Sequence, residues 1–181
     1  MIHLYAITDG TVDTGQLPAG VGHARVRAIA EGVLTALVSE HGAAPHGGAR
    51  DAWEHEAVVE AAMAAATVLP ASLGTVLGGE DEVRALLRGR HDEFASDLRR
   101  LAGCVEVGVH GAAADLPERL RPCVSAWTSQ RGSLACLVHE QTLERLLAEV
   151  AELETAEGVH LVVTGPWPPY TFVTQPGGLL T

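Results

Sequence analysis

A chain of 181 residues is long enough for one domain or two small ones, with a real core in either case. Hydrophobic residues make up 47% but aromatics only 4%, so Ala, Val and Leu must build the interior. The formal net charge of −11 weighs against a nucleic-acid backbone or an anionic membrane surface as partner, since both would repel it. Cys104, Cys123 and Cys136 show no paired spacing and are expected as buried thiols in a reducing cytosol. No apolar stretch approaches the roughly 18 residues of a membrane span, and Met1 leads straight into a strand-like run with no leader pattern. The expected setting is cytoplasmic.

In chain order, Ile2 to Thr8 reads as a strand that ends at the Asp9-Gly10 turn signal. Thr11 to Gly22 is loop. Arg25 to Ala30 and Val33 to Ser39 read as two strands around a tight turn at Glu31-Gly32. After a glycine-rich loop, a helix runs from about Asp51 to Ala66, with small alanines that let it lie close on a sheet. Thr67 to Leu69 is a short strand stopped by Pro70.

Ser72 to Leu77 is the next expected strand. The acidic Glu80-Asp81-Glu82 then opens a second helix, where the helix dipole favours negative charge. Its apolar stripe is Val83, Leu86, Leu87, Phe94, Leu98 and Leu101, and Gly103 ends it. Cys104 to His110 alternates as a strand, Gly111 to Gly132 reads as irregular with a helical turn near Pro117 to Leu120, and Ser133 to His139 is a strand. A third helix, Glu140 to Glu154, puts Leu143, Leu146, Leu147, Val150 and Leu153 on one face, and Val159 to Thr164 is the last strand.

From Ser72 onward the order is β-α-β-β-α-β, the split pattern of a ferredoxin-like sandwich. The fold class expected is α+β: two open-faced sandwiches, antiparallel sheets with helices on one face. The expected domains are residues 1–70, a modified ferredoxin-like unit, and 71–173, a ferredoxin-like unit, followed by a flexible tail at 174–181.

Chemistry is hard to find. His41, His46 and His55 form neither HxxxH nor HxH, so loop histidines in solvent are expected for the first two rather than a metal site. Glu54-His55-Glu56 are neighbours on a helix and point about 100° apart, so His55 is expected to pack or hydrogen-bond at a helix–sheet junction. Gly74-Thr75 and Gly78-Gly79 precede a helix whose acidic start would repel phosphate. Ser125, Ser129 and Ser133 lack a nucleophile-elbow context. No catalytic residue, cofactor or metal ligand is assigned, and the chain is read as no enzyme.

Gly165-Pro166-Trp167-Pro168-Pro169-Tyr170 is the most distinctive segment. Each proline fixes φ and removes a donor, and each residue before a proline is held extended. The segment cannot be helix or an inner strand. It reads as a stiff hook whose Trp167 should be largely buried, against the chain's own core or against a partner. Both uses stay open.

The run Leu161-Val162-Val163-Thr164-Gly165-Pro166-Trp167-Pro168-Pro169-Tyr170-Thr171-Phe172-Val173 closely resembles the closing signature of the gas vesicle protein family of the F/L type. His55 with its alanine-rich helix, Val68-Leu69-Pro70, Gly74-Thr75-Val76 and the opening His3-Leu4-Tyr5-Ala6-Ile7 agree. Ser72-Leu73 stands where the family usually carries an Arg-Phe pair, and residues 111–132 look short against it. The resemblance implies two α+β domains and an accessory or minor structural protein of gas vesicle assembly. Its partners would be the shell subunit or other vesicle proteins, with no nucleic acid, membrane or small-molecule substrate. The alternatives are a small-molecule-sensing regulatory module, on fold analogy alone, and a hydrolase using one of the histidines.

Overall fold

The computed structural model describes residues 1–44, 47–113, 115–130 and 132–174. The expected tail lies outside the described residues beyond Thr174. In the first sheet, β1 (Ile2–Thr8) is central, with β2 (Arg27–Glu31) and β3 (Leu34–Glu40) forming a hairpin on one side. Gly32, at φ 62°, takes the left-handed conformation that this tight turn requires. Beyond the helix α1 (Ala49–Met63), β4 (Val68–Pro70) closes the antiparallel order β2-β3-β1-β4. All seven residues of β1 are buried. Successive strand residues point to opposite faces, so continuous burial requires cover on both. His55, Val58, Val59 and Ala62 are the buried residues of α1.

Ser72 to Leu77 does not open a second domain. Its paired part, β5 (Val76–Leu77), lies antiparallel to Ile2 and His3 of β1, alongside β4, which pairs with Ala6 to Thr8. The short β4 leaves the start of β1 unpaired, and β5 fills that gap; the carbonyl of Thr75 accepts the N–H of Leu4 at 2.9 Å. The single long helix expected next is two, α2 (Glu80–Gly89) and α3 (His91–Leu101), broken at Arg90 where φ is −118° and ψ 22°. They add Val83, Leu87, Phe94, Leu98 and Leu101 to the core. The division expected at residues 70/71 therefore does not separate the packing: one compact unit is Met1–Ala102, which the chain rejoins at Val173, and the other is Gly103–Phe172.

The second unit does have the β-α-β-β-α-β order, built from later elements than expected. It comprises β6 (Cys104–His110), a short α4 (Leu116–Leu120), β7 (Ala126–Gln130), β8 (Ser133–His139), α5 (Leu143–Glu157) and β9 (Val162–Trp167). The strands lie in the antiparallel order β7-β8-β6-β9. By position of the strands in the chain this is 2-3-1-4, and the first sheet has the same order with a loop in place of its first crossover helix. Val105, Val107 and Val109 stand opposite Val138, Cys136 and Leu134, all buried on one face. Leu116, Leu120, Leu146, Val150 and Leu153 supply the helical side of this core. Glu106 and Gly108 point to the other face and are only half-buried.

Candidate functional site

The hook grows out of an edge strand. β9 does not stop at Thr164 but runs on to Trp167, which comes opposite Glu106 after a shift in register. Pro166 is tolerated because β9 is outermost and needs no ladder bond on its free side. Gly165, at φ 105°, lies so close to the Glu106 carbonyl that a Cβ would come within 2.8 Å of it. Pro168 and Pro169 are buried, and Tyr170–Phe172 form a single 3-10 turn. The Glu106 carboxylate holds this turn: it accepts the Thr171 N–H at 2.8 Å and the Thr171 hydroxyl at 2.6 Å.

Tyr170 is half-buried, but Trp167 is 44% exposed. Of the two uses expected for this ring, full burial in the chain's own core is not what the structure has. The two prolines after it turn inward, which leaves the indole at the sheet margin. Past the hook, Val173 is buried and the Thr174 N–H donates to Asp97 of α3 at 2.8 Å. Burial alone would raise the Asp97 carboxyl, but Arg100 at 2.6 Å and Thr174 outweigh it and hold it below its ordinary value. Glu106 and Asp97, two carboxylates that fasten this segment, were not singled out in the sequence. Glu106 had a signal, as a lone acid inside the alternating valines of β6.

A second constellation lies in the first unit. His55 Nε2 donates to the Ala71 carbonyl at 2.9 Å, which places it at the helix–sheet junction. Its Nδ1 is then an acceptor and takes the proton of His3 Nε2 at 2.9 Å. His3 is fully buried, and its Nδ1 has no partner. The Tyr5 hydroxyl accepts the Val21 N–H at 2.8 Å and shares a hydrogen bond with Ser39 Oγ at 2.7 Å, which also meets His41 Nε2 at 2.7 Å. Gly20 lies against that hydroxyl so closely that a Cβ would overlap it. Burial, then neighbouring His55, lowers the His3 pKa to about 3, and burial lowers His55 against the opposing bond to Ala71. Both imidazoles are neutral at ordinary pH. They fasten α1 to β1 and to the segment after β4.

The remaining candidates come apart. His41 is half-buried and bonded to Ser39 rather than free in a loop, while His46 lies outside the described residues. Among the described residues no group of three His, Cys, Asp or Glu side chains converges as a metal site. Glu54 reaches Arg50 at 2.9 Å and the Gly22 N–H at 2.8 Å while His55 turns inward, so the acid/base pair does not form. The Gly78 N–H is taken by Glu82 at 2.7 Å, which fills the place a phosphate would need. Ser125 and Ser129 border or lie in β7, and Ser133 opens β8. All three cysteines are buried, and burial, then Glu106, pushes the Cys136 thiol up to about 12, leaving it protonated and inert. No described helix is long and apolar enough to cross a membrane.

Known proteins match most of the chain. Gas vesicle protein F of Streptomyces sp. (strain CB03234) is 32% identical over 147 residues, which is 74% of this chain and 60% of that protein. Gas vesicle protein F2 of Halobacterium salinarum (strain ATCC 700922 / JCM 11081 / NRC-1) is 28% identical over 144 residues, 66% of each. The matched region thus spans less than two thirds of the length of these relatives. Two crystal structures share the fold: GvpF from Anabaena sp. PCC7120, with a TM-score of 0.84 at 19% identity over 94% of both chains, and GvpF from Microcystis aeruginosa, with 0.79 at 15% over 94% of this chain and 98% of that one. The family model described as gas vesicle synthesis protein GvpL/GvpF matches residues 1–125 and 112–174, and the chain belongs to that family.

Proposed function

We propose that this chain is a non-enzymatic accessory or minor structural protein of gas vesicle assembly, acting in the cytoplasm and at the vesicle. It binds the shell subunit or another vesicle protein. The observation that carries this reading is a family match from residue 1 to residue 174 on a chain whose most distinctive segment is stiff and carries an exposed tryptophan. Gly165 to Tyr170 is stiffened by three prolines and fastened through Thr171 to Glu106, so it keeps its shape without a partner. Trp167 stands 44% exposed on it. A large aromatic on a rigid support is the kind of group that anchors an interface at low entropic cost. The charge of −11 keeps such a binder soluble while it handles apolar cargo.

A clean deletion in a vesicle-forming host tests this reading. Absent or stunted vesicles, restored by the wild-type gene, support it. Normal buoyant vesicles in the deletion strain overturn it.

A further inference from the structure

Among the described residues, three of the four sheet edges carry a device that blocks the addition of a strand. On β2, Arg84 of α2 donates to the Ala30 carbonyl at 2.5 Å and pairs with Glu80 and Glu31, covering the edge with a charged helix. The opposite edge of that sheet consists of β4 and β5, only three and two residues long. In the second sheet, β9 holds Pro166 and a register shift. β7 has none of these. Its five residues, Ala-Trp-Thr-Ser-Gln, include no charge and no proline, and they pair with β8 in unbroken register.

The hairpin fixes which groups face out. Gln130 closes it opposite Ser133, so Gln130, Thr128 and Ala126 turn their backbone groups to β8. Trp127 and Ser129 then present N–H and C=O outward, and among the described residues no bond takes them up. The Trp127 ring is 38% exposed beside them.

We propose that β7 pairs with β7 of a second copy of this chain, antiparallel across a two-fold axis. The strand is complementary to itself. With Thr128 opposite Thr128, Trp127 of each copy meets Ser129 of the other, and these are the residues whose backbone groups are open. That register makes about four backbone hydrogen bonds and sets a large side chain beside a small one. It also opposes no charges, which a chain of net charge −11 requires of any surface that meets its own copy.

Sedimentation equilibrium of the full chain, up to roughly millimolar concentration, tests this. Wild type should form a reversible dimer. Thr128→Lys and Thr128→Glu each place like charges across the axis and should weaken it by about tenfold or more. An equimolar mixture of the two should restore a dimer. Ser129→Pro removes only an outward N–H, so it should be monomeric with an unchanged circular dichroism spectrum. A wild type that stays monomeric throughout, or a dimer that persists in both charged variants, overturns the proposal.

Discussion

The two units lay their strands in the same order and use them differently. In the first, β1 is buried along its whole length and β2 is sealed by α2 through Arg84. A buried polar network joins His3 and His55 to the Ala71 carbonyl. In the second, burial alternates along β6, the hook folds onto Glu106, and β7 keeps its outer backbone groups open. One strand order thus serves as a closed, tightly determined body in one place and as a support for exposed groups in the other. The contrast comes from what surrounds the sheets: a third helical segment and two short strands finish the first, while the second ends in a proline-rich edge.

The contrast can be broken most forcefully in the first unit. His55→Ala strips the Ala71 carbonyl of its donor, leaves His3 with two unpaired ring nitrogens and opens a cavity. It should cost roughly 3–4 kcal/mol in a denaturant titration. A loss under about 1 kcal/mol would mean the network does not hold α1 to the sheet.

Acid strains the same buried histidines. The unfolded chain protonates His3 near pH 6.5, but the folded chain resists until about pH 3. Stability is therefore complete above about 6.5 and falls as pH is lowered toward about 3, and His55 adds in the same direction. Thermal melts across that window should show the decline, and His3→Gln should flatten it. A wild-type profile as flat as that of the variant would argue against neutral buried imidazoles.

In the second unit the effects should be smaller. Glu106→Gln keeps the shape but weakens both bonds to Thr171, and a cost of about 1–2 kcal/mol is expected. Proteolysis near residues 168–172 should quicken with it. An unchanged cleavage rate would show that Glu106 does not fasten the hook.

Much of this was legible locally. The positions of β1, β3, β6, β8 and α1 follow from alternation, helical periodicity and turn residues. The pairing of β5 was not, because Val76 and Leu77 look equally apt as the first strand of a new unit; only the gap left beside Ile2 and His3 decides it. β7 was missed because Ala-Trp-Thr-Ser-Gln is short, polar and weakly alternating, and it becomes a strand by lying against β8. The histidine network was out of reach because its members are 52 residues apart, and Thr171 meets Glu106 across 65. Such contacts depend on register, which no local pattern carries. The break between α2 and α3, at Gly89-Arg90, had a local signal in the glycine itself.

In the function proposed, this chain works by binding a vesicle protein, and the exposed hook anchors the contact. Titrating purified wild type and Trp167→Ala against the vesicle shell subunit, with melting points measured on the same samples, tests it directly. The ring is 44% exposed, so stability should fall by about 1–2 kcal/mol, well short of the roughly 3–5 kcal/mol of a fully buried aromatic. Affinity should fall by about 2 kcal/mol, near thirtyfold. Equal affinity for the two proteins, with equal melting points, would contradict the account.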